Sequence, residues 1–340
     1  MKIRNEVELD DILSRPSDAD IQAFKDLPGD LLILGAAGKM GPSLVRRARR
    51  AADQAGVKRR VIGVDLFPEG SPRQTLESWG VETVAADLLD AGALAGLPDA
   101  PNVIFMAGRK FGSTGAEHLT WAMNVLLPAM VAQRFRESRI VVFSSGNIYP
   151  FAQVAHGGAT EAVAPSPVGE YAQSVLGRER MFEHFSLRYG TRVTLLRLNY
   201  AIDLRYGVLY DVGVKVFERR PVDLTMGHAN VIWQGDANSA ALRALSLCQS
   251  PPFALNLTGP ETIPIRWAAS RFADHFGVDP VFEGTESQTA LLNNAARCFH
   301  LLGYPAVSPE QMIEWIAGWI AAGGQSLNKP THFEVRDGKF

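Results

Sequence analysis

The run Asp30-Leu-Leu-Ile-Leu34 is followed at once by Gly35-Ala-Ala-Gly38-Lys-Met-Gly41 and then by Pro42-Ser-Leu-Val-Arg-Arg. A short apolar run that stops at glycine suits a strand buried on both faces of a parallel sheet. Pro42 stands where a helix would begin, a position that tolerates its missing N–H, and the spacing predicts a helix over 42–55. A glycine loop between such a strand and helix lets backbone approach a pyrophosphate, which the helix N-terminus stabilises. The spacing is GxxGxxG rather than GxGxxG, so the loop needs its context. That context is the next apolar run, Val61-Ile-Gly-Val-Asp65, which ends on an acid 24 positions after Gly41. A carboxylate there can accept from both ribose hydroxyls of an adenosine and repels a 2′-phosphate, so NAD is expected rather than NADP.

Further strands are predicted at 81–85, 103–106, 140–143 and 192–198, with helical patterns between most of them, clearest at 119–136 and 170–189. Strands alternating with helices imply an α/β fold, a Rossmann-like doubly wound parallel sheet. Past about residue 200 helical patterns dominate, over 236–249, 266–276, 289–302 and 309–322. The expected organisation is an N-terminal helical extension (1–29), a dinucleotide-binding domain (30–200), a smaller, mostly helical substrate lobe (201–327) with segments returning to the first domain, and a peripheral tail (328–340). The run Arg46, Arg47, Arg49, Arg50 reads as a solvated helix face.

Composition narrows the class. The chain has 340 residues, 46% of them hydrophobic, and 34 basic against 36 acidic residues for a net charge of -2. That balance argues against a nucleic-acid binder or a polybasic membrane anchor. No apolar run reaches membrane-spanning length, so a soluble, cytoplasmic setting is expected. Cys248 and Cys298 are expected as buried thiols. The seven histidines form no ligand pair, and no metal site is expected.

A second constellation stands at the fifth strand. Phe143-Ser144-Ser145-Gly-Asn147 ends it, and Tyr171 follows 26 residues after Ser145 at the start of a helix. Together with the glycine loop 35–41, Asp65, Asp87, the run Ile104-Phe-Met-Ala-Gly108, Asn124 and Glu179, this resembles the extended short-chain dehydrogenase/reductase superfamily, in particular its NAD-dependent epimerase/dehydratase members. The resemblance spans about 30–322. It implies a Rossmann domain holding NAD and a C-terminal lobe closing over a carbohydrate-like substrate. It further implies cofactor contacts from Gly35, Ala37, Gly38, Lys39, Met40, Gly41, Asp65, Asp87, Leu88, Met106, Ala107, Gly108, Asn124, Ser144 and Tyr171. Ser145 would hydrogen-bond the reacting oxygen and Tyr171 would be the acid/base. Asn124 would support the sheet edge or a relay water. A homodimer through helices 119–136 and 170–189 is implied as well.

One position departs from the pattern. The family motif is YxxxK, and here the lysine position is Val175. An unperturbed tyrosine, with pKa near about 10, is roughly one-thousandth ionised at pH 7. Needing phenolate without compensation would cost about 4 kcal/mol. Arg178 lies on the same helical face but nearly two turns along. Two readings therefore stay open: an NAD-dependent oxidoreductase of the epimerase/dehydratase type acting on a sugar, sugar acid or nucleotide sugar, or an NAD-binding sensor or partner subunit with little or no hydride chemistry. A third keeps the enzyme but makes it a lyase or dehydratase with Glu161 or Glu170 as second base. Candidate substrate contacts are Arg109, Lys110, Asn147, Asn199 and Arg205.

Overall fold

The computed structural model describes residues 3–110, 112, 115–329 and 331–339. Seven strands build the central sheet: β1 (Leu31–Leu34), β2 (Val61–Asp65), β3 (Glu82–Ala85), β4 (Asn102–Phe105), β5 (Arg139–Ser145), β6 (Arg192–Leu198) and β7 (Phe253–Leu257). Every pairing is parallel, and the order is β7-β6-β5-β4-β1-β2-β3. The fold is α/β and Rossmann-like, as expected. The seventh strand, Phe253-Ala-Leu-Asn-Leu257, belongs to the returning chain and was not predicted.

In order, the helices are α1 (Glu6–Leu13), α2 (Asp18–Asp26), α3 (Gly41–Ala55), α4 (Arg73–Ser78), α5 (Ala91–Ala95), α6 (Glu117–Trp121), α7 (Leu127–Arg134), α8 (Gly169–Tyr189), α9 (Val208–Phe217), α10 (Gln234–Arg243), α11 (Ile265–Phe276), α12 (Ala296–Leu302) and α13 (Pro309–Ala321). A π-helical turn, Ala122–Leu126, joins α6 to α7. The alternation of side chains along β1 sends Leu31 and Ile33 to one face, against Leu44, Ala48 and Ala52 of α3. Leu32 and Leu34 go to the other, with Phe105, Val131 and Phe182. The second lobe has its own core, where Leu209 and Val212 of α9 join Phe272 of α11 and Ile316 of α13. The predicted helix over 289–302 is shorter: Thr289 and Ala290 pair with Gln153 and Ala152 as a small antiparallel strand, and only Ala296–Leu302 is helical.

The arginine run is no solvated face. Arg47 is buried and donates through Nε and Nη2 to Asp20 Oδ2 at 2.8 and 2.6 Å, while Ser239 Oγ donates to Asp20 Oδ1 at 2.6 Å. Arg50 donates to Asp11 Oδ1 and Ser14 Oγ. The arginines thus fasten α1 and α2 onto α3, which explains why an acidic N-terminal segment folds against this domain. The tail is likewise packed rather than peripheral. Thr331 and Phe333 are buried, and Thr331 donates through N–H and Oγ1 to Asp211 Oδ2 at 2.8 and 2.5 Å. A Cβ at Gly169, whose φ is +82°, would collide with the backbone of Gly338.

A buried ion pair joins the sheet to α8. Arg197 of β6 donates through Nε and Nη2 to Glu179 of α8 at 3.0 and 2.8 Å. Ser144 Oγ donates to the same carboxylate at 2.6 Å, and Arg197 Nη1 donates to Tyr149 Oη at 2.6 Å. Removing one partner of a buried pair leaves an uncompensated charge, so Arg197→Met should cost about 3–5 kcal/mol. Breaking the exposed Arg180–Glu183 pair should cost about 0–1 kcal/mol. Urea denaturation of the two variants checks this; equal losses would contradict it.

Candidate active site

The carboxyl ends of β1, β2, β4, β5 and β6 open on one cleft, at the edge where open parallel sheets take their ligands. Two connected cavities make it up. One, of about 200 Å³, is lined by Gly35, Gly38, Asp65, Asp87, Leu88 and Gly108, among others. The other, of about 400 Å³, is lined by Gly38, Gly108, Ser144, Ser145, Tyr171, Asn199 and the lysines 39, 110 and 329. Gly38, Met106 and Gly108 border both.

The glycine loop is shaped by its contacts. Gly35 has a φ of +96°, and a Cβ there would lie 2.7 Å from the N atom of Ala107. A Cβ at Gly41 would collide with the carbonyl of Ala36. The loop therefore presses β1 against the end of β4 and turns straight into α3. No side chain caps the first turn of α3; the Gly41 N–H turns back to the Gly38 carbonyl and Pro42 has no N–H, so what the turn offers an anion is chiefly the positive end of the helix. Asp65 Oδ2 accepts from the Ala37 N–H at 3.0 Å and Oδ1 from the Leu66 N–H at 2.8 Å. Its carboxylate thus both fixes the loop and borders the smaller cavity. The N-terminus of a helix, an exposed Gly38 and a carboxylate at the end of β2 are features that suit a dinucleotide.

At the other end of the cleft, Tyr171 and Ser145 line the larger cavity together. The Asn147 N–H donates to Ser145 Oγ at 3.2 Å. Burial pushes the Tyr171 phenol up from its ordinary value, opposed by the charge of Arg178 and by the nearby Ser145 hydroxyl. Arg178 does reach this region. Its Nη1 donates to the Phe143 carbonyl at 2.6 Å and its Nη2 to Asn124 Oδ1 at 2.8 Å. The guanidinium lies directly beneath Gly108, where a Cβ would strike it. Burial lowers Arg178 to about 10, which leaves it charged at neutral pH. Val175 is buried in an apolar cluster with Ile148, Tyr149 and Ala159.

Asn124 spends its whole amide on the protein. Its Oδ1 also accepts from the Arg109 N–H at 2.9 Å, and its Nδ2 donates to the Arg109 carbonyl at 2.8 Å and to Ser174 Oγ at 2.9 Å. All four hydrogen-bonding positions are filled, so Asn124 supports the sheet edge, the first of its two expected roles. Two substrate candidates turn away. Arg109 donates to the Gly112 carbonyl and does not line the cleft. Arg205 pairs with Asp203 at 2.8 Å, Glu6 at 3.4 Å and Asp10 at 3.6 Å, clamping α1. Lys110, Asn147 and Asn199 do line the larger cavity. Glu161 accepts from the Asn256 N–H and Glu170 from Trp121 Nε1; neither lines it, so neither is placed as a second base.

Tyr200, Tyr206, Lys329 and Thr331 also line the cavity without having been singled out. Tyr200 was within view, following Asn199, and its φ of +45° is a strained value for a tyrosine. Tyr206, Lys329 and Thr331 carry no local signal; tertiary folding brings them in. Among the described residues no group of histidines, cysteines and acids could hold a metal. Burial pushes the thiols of Cys248 and Cys298 up to about 11 and about 12.

Known proteins agree with this geometry. The model of the NAD dependent epimerase/dehydratase family matches residues 31–201. The chain belongs to that family. NAD is the cofactor that membership carries, and the cleft fits it. No curated protein sequence matches the chain. Among solved structures, the UDP-glucose 4-epimerase of Thermotoga maritima with UDP-glucose is similar, at 15% identity and a TM-score of 0.69, over 86% of this chain and 99% of that one. So is MoeE5 in complex with UDP-glucose and NAD, at 18% identity and a TM-score of 0.68 over the same shares. The dTDP-glucose 4,6-dehydratase of Bacillus anthracis in complex with NAD reaches a TM-score of 0.72 at 14% identity, over 86% of this chain and 96% of that one. At such identities these three are evidence for the fold.

Asp65→Ser removes the carboxylate that borders the smaller cavity. Calorimetric titration should show NAD⁺ binding about tenfold weaker and the preference over NADP⁺ reduced. An unchanged preference would take Asp65 out of the cofactor site.

Proposed function

We propose that this family member is an oxidoreductase of the epimerase/dehydratase type that moves a hydride at a carbinol of a carbohydrate-like substrate, with Tyr171 as acid/base. The observation that carries the reading is that Tyr171 and Ser145 share the wall of the larger cavity, close enough for the Ser145 hydroxyl to act on the phenol. Bound NAD supplies the hydride acceptor or donor. Ser145 Oγ holds the reacting oxygen, and Tyr171 Oη takes its proton on oxidation or returns it on reduction. The solved relatives whose names include UDP-glucose or dTDP-glucose activities support a sugar or nucleotide-sugar substrate.

Arg178 is a positioning residue here, with the role that Val175 leaves open. Its charge opposes the burial of Tyr171 and favours the phenolate. Its two hydrogen bonds join β5, at Phe143, to Asn124, whose amide in turn holds the segment after β4 at Arg109. Burial still outweighs it, so Tyr171 rests as a neutral phenol and is ready to donate in the direction of carbonyl reduction. This supports the enzymatic reading over that of a silent NAD-binding subunit, which rested on the missing lysine.

Exposed Leu119, Trp121 and Leu126 near α6, with Leu187 and Tyr189 on α8, support the homodimer through these helices. Leu126→Glu should then shift the sedimentation coefficient toward a monomer; an unshifted dimer would move the interface elsewhere.

Tyr171→Phe should lower turnover by about 10²–10⁴-fold while NAD⁺ affinity stays within a few-fold; unchanged turnover would sink the assignment. The phenol's raised pKa sets the pH dependence. Below it the proton is present, so reduction proceeds at neutral pH and fails only as pH rises past the ordinary tyrosine range. Oxidation gains with pH over the same interval. Arg178→Met should move that limb upward by about one pH unit or more, and Arg178→Lys should restore part of it. A limb that stays in place in Arg178→Met would remove Arg178 from this role.

A further inference from the structure

The C-terminal segment, expected to be peripheral, runs along the larger cavity. Lys329 and Thr331 line that cavity. Thr331 takes a partner from each side of the cleft. Its N–H and Oγ1 donate to Asp211 of α9, in the second lobe, and its carbonyl accepts from Lys110 Nζ, in the segment after β4, at 3.2 Å. The chain then stays in the gap between the lobes. Phe333 is buried in the second-lobe core. Arg336 donates through Nη1 and Nη2 to the carbonyl and Oγ1 of Thr289 at 2.9 and 2.7 Å, and its guanidinium lies 4.2 Å from the centre of the Phe151 ring. Gly338 ends this course against Gly169, the first residue of α8, with the two backbones so close that a Cβ on either glycine would collide with the other segment.

This segment covers the substrate end of the cleft. Beneath it lies a void of about 30 Å³, bordered by His332, Val335, Arg336 and Gly338 on one side and by Asn147 and Tyr200, among others, on the other. Asn147 and Tyr200 border the larger cavity too, so the void adjoins it. A water needs about 10–15 Å³ of such space. The void therefore holds about two waters and no part of a substrate. The segment fills room into which the larger cavity would otherwise extend.

The cavity is bounded on its cofactor side as well. Lys39, placed by its sequence among the cofactor contacts, sends its side chain across to the second lobe, where Nζ donates to the Ala201 carbonyl at 3.0 Å. The larger cavity, of about 400 Å³, thus lies between two crossings. One is Lys39 to Ala201, and the other is Thr331 with its partners Lys110 and Asp211. Pockets that enclose a drug-sized ligand run from about 300 to 1,000 Å³. This one is near the lower bound and has to take the nicotinamide end of the cofactor together with the substrate.

We infer that the C-terminal segment Thr331–Gly338 is a specificity element that limits the substrate to a free, monosaccharide-sized sugar and keeps a nucleotide sugar out. The inference rests on the proposed function for the place of the reacting carbinol, beside Ser145 and Tyr171, and it narrows the substrate classes left open there. Size is selected here by backbone packing and side-chain anchors. Releasing the anchors near Gly338 therefore widens the site without altering any residue that lines the larger cavity.

The test is calorimetric titration of the NAD⁺-saturated protein with UDP-glucose. The full chain should bind it more weakly than about 1 mM. Two variants release the far end of the segment while leaving Thr331 and Phe333 in place. One is Gly338→Ala, whose added Cβ would strike the Val168 carbonyl. The other is Arg336→Ser in a chain that ends at Asp337. At least one should bind UDP-glucose about tenfold or more below that limit. NAD⁺ affinity within about threefold and cooperative thermal unfolding verify that each variant is folded; Gly338→Ala keeps every side-chain anchor and carries the test if the shortened chain does not fold. Two results would overturn the inference: a full chain that binds UDP-glucose more tightly than about 1 mM, or folded variants that bind it no better than the full chain. Protein that takes no NAD⁺ would defeat the oxidoreductase reading instead; the same titrations on nucleotide-free protein would still decide the role of the segment.

Discussion

The buried carboxylate of Glu179 is the contact on which the cleft depends. It receives Arg197 from β6 and Ser144 from β5, so one side chain of α8 is tied to two neighbouring strands. Arg197 extends the tie to Tyr149, whose hydroxyl donates to Asn256 of β7 at 2.9 Å. A charge this deep is tolerated because each of its oxygens is paired. Its consequence is geometric. Ser144 is fixed, so Ser145 next to it projects into the cleft. Glu179 is fixed, so Tyr171, two turns earlier on the same helix, faces Ser145. The neighbouring Arg178 is carried by the same helix to the underside of Gly108.

The electrostatic character of the cleft follows from that frame. Its acids are at one end, where Asp65 and Asp87 border the smaller cavity. Its bases are at the other, where the lysines line the larger one and Arg178 underlies the junction. Burial raises Tyr171, Tyr200 and Tyr206 alike, so the phenols stay protonated, and at Tyr171 the charge of Arg178 opposes this.

Local sequence carried much of the fold. The strands at 61–65 and 192–198 and helices α3, α8, α11 and α13 were legible because an apolar run or a helical stripe records burial directly. The glycine loop, Asp65, Ser145 and Tyr171 were legible because each stands at the end of such an element. What was missed depends on where long side chains find their partners. Arg109 and Arg205 read as free cations until their partners, Gly112 and the acids of α1 and Asp203, came into place. Lys39 read as a loop residue because nothing in Gly-Lys-Met-Gly tells which way a long flexible side chain turns. The tail read as peripheral because the polar segment 328–340 hides two anchors, Thr331 and Phe333. Val175 drew attention to a lost charge, yet Arg178, three residues further along the same helix, brings a charge to this region. Whether an arginine bends back over nearly two turns is decided by its acceptors, Phe143 O and Asn124 Oδ1, which belong to other elements.

The central claim is that this cleft holds a nicotinamide dinucleotide with its ring beside Tyr171 and Ser145. Titration with NADH, followed by nicotinamide fluorescence, tests it most directly. A ring sequestered in the cleft should show enhanced, blue-shifted emission that saturates at one equivalent per chain, and the change should be absent with NADPH at the same concentrations. Emission identical to that of free NADH throughout the titration would contradict it.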